Sequence, residues 1–149
     1  NLENNCHVLR KYLYLYILNA LMKNMTSKNI PFQTIDWSSI PKTEHKGETG
    51  IAFWQTIQYP GLRIRLVEYS EGYIADHWCT KGHIVHCLEG DFVSELRDGL
   101  KTLLTPGMTY VVTDELSSHR SSTEHGVKLL IIDGDFLKPA ADTIGINPE

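Results

Sequence analysis

Two patterns of apolar and polar positions divide the chain. From Ile30 onward, short runs rich in Val, Ile, Leu, Tyr and Thr are broken by Gly, Pro or Asp about every eight to twelve residues. That rhythm predicts an all-β sandwich or barrel, because a strand half-buried in a sheet shows its two faces with period two. Strands are predicted over residues 51–58, 62–69, 73–79, 83–88, 91–96, 101–104, 109–112, 119–122 and 127–133. Between them lie Tyr59-Pro60-Gly61, Glu71-Gly72, Glu89-Gly90-Asp91, Asp98-Gly99 and Pro106-Gly107, residues suited to tight or left-handed turns. Asp98-Gly99 is the strongest hairpin signal of the set. The polar stretch from Trp37 to Gly50 reads as an entry loop, and the residues after Lys138 read as a loose tail. There is no internal repeat and no low-complexity tract.

The first 24 residues differ, with an apolar run from Tyr12 to Met22 flanked by Arg10, Lys11 and Lys23. The run is too short to cross a bilayer, which takes about 20 residues as a helix, so no membrane partner is expected. The leading reading is a non-native or misassigned start; the rivals are an appended helix that docks on the domain and an interfacial anchor. The expected division is an extension of uncertain origin over 1–28, a domain over 29–138 and a C-terminal tail over 139–149.

Composition narrows the function. At 149 residues and 42% hydrophobic, the chain can bury a core without disulfides. Its 14 Lys and Arg against 18 Asp and Glu give a net charge of −4, which disfavours a nucleic-acid surface. Without residues 1–24 the balance is 11 against 17, a charge of −6. Cys6, Cys79 and Cys87 do not make the framework of a small secreted protein, so a reducing cytoplasm is the expected location. The seven histidines are an excess, and His is the commonest metal ligand.

Several of those histidines cluster in the segment Glu71 to Asp91, EGYIADHWCTKGHIVHCLEGD. On a strand, His77 and Cys79 would share a face while Asp76 and Trp78 take the other. Thr80-Lys81-Gly82 can turn the chain and bring His83 back beside them. Imidazole and thiolate donors converging from a hairpin suit a transition metal such as zinc, iron, nickel or copper. His119, after the Pro106-Gly107 turn and a further strand, is the natural fourth donor. The plainer reading makes His77 and His83 core or surface residues and Cys79 a small buried hydrophobe. Two histidines bracketing a cysteine at strand spacing, with a downstream partner, favour ligation. Cys87 reads as core, His86 as a surface or interface residue, and His45 and His125 as exposed. The arginines at 63 and 65 share one face of a strand whose other face carries Leu62, Ile64 and Leu66. With the apolar face inward, the arginines are expected to be solvated or paired. Trp54, Tyr69, Tyr73 and Tyr110 fit either a pocket lining or ordinary packing.

These residues resemble a known family. Gly72, His77-x-Cys79, His83 and the Glu89-Gly90-Asp91 turn are similar to the first cupin motif; Pro106-Gly107 followed by His119 is similar to the second. Cys79 stands where that motif usually has its second histidine, and His83 where it usually has glutamate. The run Asp76-His77-Trp78-Cys79 also resembles that of a small group of bacterial cupins labelled by a DHCW motif, with the last two letters exchanged. The resemblance covers roughly residues 29–138. It implies an all-β, antiparallel jelly-roll barrel holding one divalent metal on His77, Cys79, His83 and His119, zinc or iron first, with nickel, copper or manganese as alternatives. It implies a small-molecule metalloenzyme, dioxygenase-like or isomerase-like. The alternative is a non-enzymatic small-ligand binder with a structural metal. Cupins often pair by sheet edges, so a homodimer is compatible with it.

Overall fold

The computed structural model describes residues 29–139 of the chain. The readings made for residues 1–28 and for the tail beyond 139 lie outside them. Residues 33 to 139 belong to one compact unit.

Nine strands make up this unit: β1 (Thr43–Lys46), β2 (Ile51–Tyr59), β3 (Leu62–Tyr69), β4 (His83–Gly90), β5 (Phe92–Leu96), β6 (Lys101–Leu104), β7 (Thr109–Val112), β8 (His119–Ser122) and β9 (Val127–Gly134). They form a six-stranded sheet in the order β1-β2-β3-β9-β4-β7 and a three-stranded sheet in the order β6-β5-β8, with antiparallel pairing throughout. Asp98-Gly99 closes the β5–β6 hairpin as its sequence requires: Gly99 has φ +89°, and the Asp98 carboxylate accepts from the Leu100 amide. No described helix is long and apolar enough to cross a membrane.

The core lies between the two sheets. Val67 of β3, Val85 and Cys87 of β4, and Leu129 and Ile131 of β9 meet Phe92 of β5 and Leu104 of β6, all nearly or fully buried. Burying each large apolar side chain of this kind contributes about 1.5–3 kcal/mol. Cys87 is a core residue, as expected.

Three local expectations need correction. Part of the predicted entry loop is β1, paired with β2 from Thr43↔Trp54 to Lys46↔Ile51. Its four residues are all exposed, so the sequence carries no apolar alternation to betray it. The predicted strand at 73–79 is instead a crossing segment touched only by isolated bridges, Ile74 to Thr49 and Ser122, and Cys79 to His119. Finally, β3 faces the other way round. Arg65 and Val67 are buried inward, while Leu62, Ile64 and Leu66 on the opposite face are only half-buried. The inward Arg65 is tolerated because Asp133 on β9 accepts from its Nη2 at 2.6 Å and from Arg63 Nε at 2.8 Å. The outer face of this sheet is itself covered in part. Gln55 on β2 is 7% exposed and donates to the carbonyls of Trp37 and Ile40, pinning the 37–40 segment across it.

Candidate metal centre

The structure brings together Cys79, His83 and His119, with one potential ligand atom from each lying within 4.8 Å of the others. His83 opens β4 in the large sheet and His119 opens β8 in the small one. Cys79 reaches them from the crossing segment. Its amide donates to the His119 carbonyl (2.8 Å) and its carbonyl accepts from the His119 amide (2.9 Å), which seats the two residues side by side.

The turn back to His83 depends on Gly82. A Cβ there would stand 2.6 Å from the Asp114 nitrogen, and the Gly82 amide donates to the Asp114 carboxylate at 2.5 Å. The Glu115 amide donates to the Thr80 carbonyl at 2.7 Å, so the loop around Asp114 clamps both sides of the turn.

The donor set fits a transition metal. Ligands held at Zn–S and Zn–N lengths of about 2.3 and 2.0 Å on a tetrahedron stand roughly 3.5 Å apart. Cys79 Sγ lies 3.3 Å from His83 Nε2. The His83 and His119 rings meet nearly edge to face, 5.5 Å between centroids at 87°. His119 is 3% exposed, and its Nδ1 is buried without a hydrogen-bond partner.

Electrostatics favours the ligating form of the thiol. Burial pushes the Cys79 thiol up, but hydrogen bonds from His119, His83 and the Lys81 amide reverse this and bring its pKa down to about 5. Burial likewise opposes protonation of His83, and the Asp133 carboxylate and Cys79 sulfur outweigh it, raising the His83 pKa. Asp133 Oδ2 lies 3.5 Å from His83 Nδ1, on the side of the ring away from Cys79. Burial raises the Asp133 carboxyl, yet His83, Arg63 and Arg65 hold it far below the usual carboxylate range.

His77 is not brought into this group. Its side chain is 69% exposed, and its Nδ1 pairs with the Asp76 carboxylate at 2.5 Å. Strand alternation, which put His77 beside Cys79, does not operate in a segment without a ladder. The remaining described histidines lie elsewhere: His86 pairs with Thr109, His45 stacks on Trp54, and His125 faces Asp91.

A cavity of about 80 Å³ adjoins the donors, walled by Trp54, Arg65, Tyr69, Phe92 and Tyr110 among others, with Tyr73 also at its edge. The four aromatics named from sequence thus all line it. Burial raises the pKa of Tyr69 and of Tyr110, so both present neutral hydroxyls at neutral pH. Sequence reasoning missed Asp133 and misplaced Arg65. The available signal was an acidic residue ending an apolar strand and an arginine inside another, each needing a partner.

Two sheets, a barrel interior and donors at these strand ends define a cupin fold. Solved structures resemble it at probability 1.00 and low identity. An RmlC-like cupin from Shewanella frigidimarina matches with TM-score 0.55 and 15% identity over 70% of this chain and 91% of that one. Ectoine synthase from P. lautus matches with TM-score 0.56 and 15% identity over 78% and 99%. A cupin-superfamily sugar phosphate isomerase from Silicibacter pomeroyi matches with TM-score 0.55 and 13% identity over 68% and 75%. No protein-family model matches the sequence, and no curated protein matches it. At such identities the likeness shows the fold alone, and its members differ in function.

Proposed function

We propose that this chain is a metal-dependent enzyme acting on a small organic molecule. One observation carries the reading: three protein donors, a thiol and two imidazoles, converge on the wall of a lined cavity. A fourth protein ligand would close a tetrahedron and suit a structural ion, whereas three leave a position that water or substrate can take.

Cys79 would hold the ion as thiolate, and His83 and His119 through ring nitrogens. A bound zinc or iron would supply Lewis-acid polarisation of a substrate oxygen or, for iron, oxygen chemistry. The chain's own contributions are legible without it. Asp133 fixes the orientation of the His83 ring from behind, and buried donors of this kind keep a ligand in place. The aromatic wall of Trp54, Phe92 and Tyr110 excludes water, which strengthens every charge interaction inside. The small volume, well below the roughly 150 Å³ that holds benzene, restricts the substrate to a few heavy atoms. An isomerase or an oxygenase of small molecules fits these limits.

The test is elemental analysis of the purified chain with exchange measurements. One zinc or iron per chain, lost in Cys79→Ser and carrying an exchangeable water, supports the reading. A stoichiometric ion with no exchangeable position makes the site structural and the protein a non-enzymatic binder.

A further inference from the structure

The cavity holds two buried N–H groups that nothing in the protein satisfies: Nε of Arg65 and Nε1 of Trp54. Both residues line the same cavity as Cys79, His83 and His119. They are also in contact, with the Arg65 guanidinium over the Trp54 ring at 4.6 Å from its centroid. Buried donors are almost always paired, because an unpaired one forfeits its hydration without compensation. Two orphans side by side on one wall are therefore an arrangement that costs stability unless an acceptor comes to it.

The charge around them has the matching sign. Arg65 is 4% exposed. One carboxylate, Asp133, serves both its Nη2 and the Nε and Nη2 of Arg63, at 2.6, 2.8 and 3.2 Å. Two guanidiniums thus share one carboxylate, and the Nε of Arg65 stays uncommitted. A guanidinium edge with a neighbouring N–H is the geometry that receives the two oxygens of a carboxylate.

We infer that Arg65 and Trp54 form an anion subsite beside the metal donors, and that the substrate is a small carboxylate, its acid group held by Arg65 Nε and Trp54 Nε1. This deepens the proposed function by naming its substrate class, and it rests on reading the cavity as a substrate site. The volume limits the acid to a few heavy atoms, of glycolate or lactate size, and excludes benzoate. Trp54 is braced on its other side by His45, whose ring stacks on it at 4.0 Å, so the indole is held ready for the ligand.

The probe is the indole N–H resonance of Trp54 in the full chain, assigned with Trp54→Phe, titrated with glycolate, lactate, acetamide and benzoate. Each titration is run on metal-loaded and on chelator-treated protein. The expected result is a saturable shift with glycolate and lactate in both samples, and none with acetamide or benzoate. Arg65→Lys keeps a cation but loses the fork, and should weaken binding at least tenfold. Arg65→Gln should abolish it, provided its circular dichroism is native. Because Arg65→Gln strands Asp133 and can unfold the barrel, Trp54→Phe is the second variant. It keeps ring and guanidinium, removes one N–H, and should weaken glycolate binding several-fold, read by calorimetry.

Acetamide binding as well as glycolate, or affinity unchanged in both Arg65→Lys and Trp54→Phe, overturns the inference. So does binding that vanishes on chelation and ignores Arg65, since the acid then sits on the ion alone. Binding that persists in protein shown to hold no metal under any loading upholds the subsite while sinking the metalloenzyme reading.

Discussion

Asp133→Asn is the sharpest single perturbation of this barrel. The carboxylate is 14% exposed at its side chain and compensates Arg65, whose side chain is 5% exposed. It also pairs with Arg63, but that side chain is 36% exposed and water can replace the contact, so little is counted for it. Removing one partner of a buried ion pair costs about 3–5 kcal/mol, because the other charge is left buried. Asparagine keeps the shape and one acceptor oxygen, which places the expected loss at the lower end, about 3 kcal/mol. For a domain of this size that is a fall in Tm of about 12 °C. Urea unfolding followed by tryptophan fluorescence reads the free energy directly. The pH dependence is a further check on sign. The Asp133 carboxyl is depressed in the folded protein, so its contribution is present above the ordinary carboxylate pKa of about 4 and fades as pH falls below that value. The gap between wild type and Asp133→Asn should therefore be flat from pH 5 to 8, and should narrow as the solution becomes strongly acid. Adding Arg65→Met to Asp133→Asn removes the stranded charge and should restore at least about 1 kcal/mol. A single-variant loss under about 1 kcal/mol, or a double variant that loses the sum of the two singles, would refute the reasoning.

His77→Ala should leave metal stoichiometry unchanged while His119→Ala lowers it, measured by elemental analysis on the same preparation; loss in both would return His77 to the ligand set. In metal-free protein the Cys79 thiolate, with its pKa near 5, should absorb at 240 nm at neutral pH. That absorbance should disappear as pH falls through about 5, and Cys79→Ser should remove it. Leu129→Ala, at a site with no solvent exposure in the middle of β9, should cost about 2–5 kcal/mol by urea unfolding with the slope unchanged.

The strands of the large sheet were legible because each alternates around a buried set, as β4 does through His83, Val85 and Cys87. The same alternation misassigned β3. Leu62, Ile64 and Leu66 look like a core face, but periodicity reports two faces without saying which one turns inward. Only the partner decides, and Asp133 lies about seventy residues away in sequence. Cys79, His83 and His119 were legible by residue type and spacing. His77 was added to them by a strand rule, and the bridge between Cys79 and His119 is a tertiary contact that no local pattern contains. β1 was invisible for a plainer reason: all four of its residues face solvent, so it exists through its ladder with β2 and not through burial.

The three donors belong to three differently anchored pieces of chain: one in the large sheet, one in the small sheet, and one on a segment held by isolated bridges. An ion bound among them would act as a cross-link between layers, restricting the unfolded chain as a disulfide does and linking metal affinity to folding. Its weakest attachment is the Cys79 segment. Metal escape would then run at the rate at which that segment peels from His119, with both sheets intact, and exchange kinetics would report a local opening well below the global unfolding barrier.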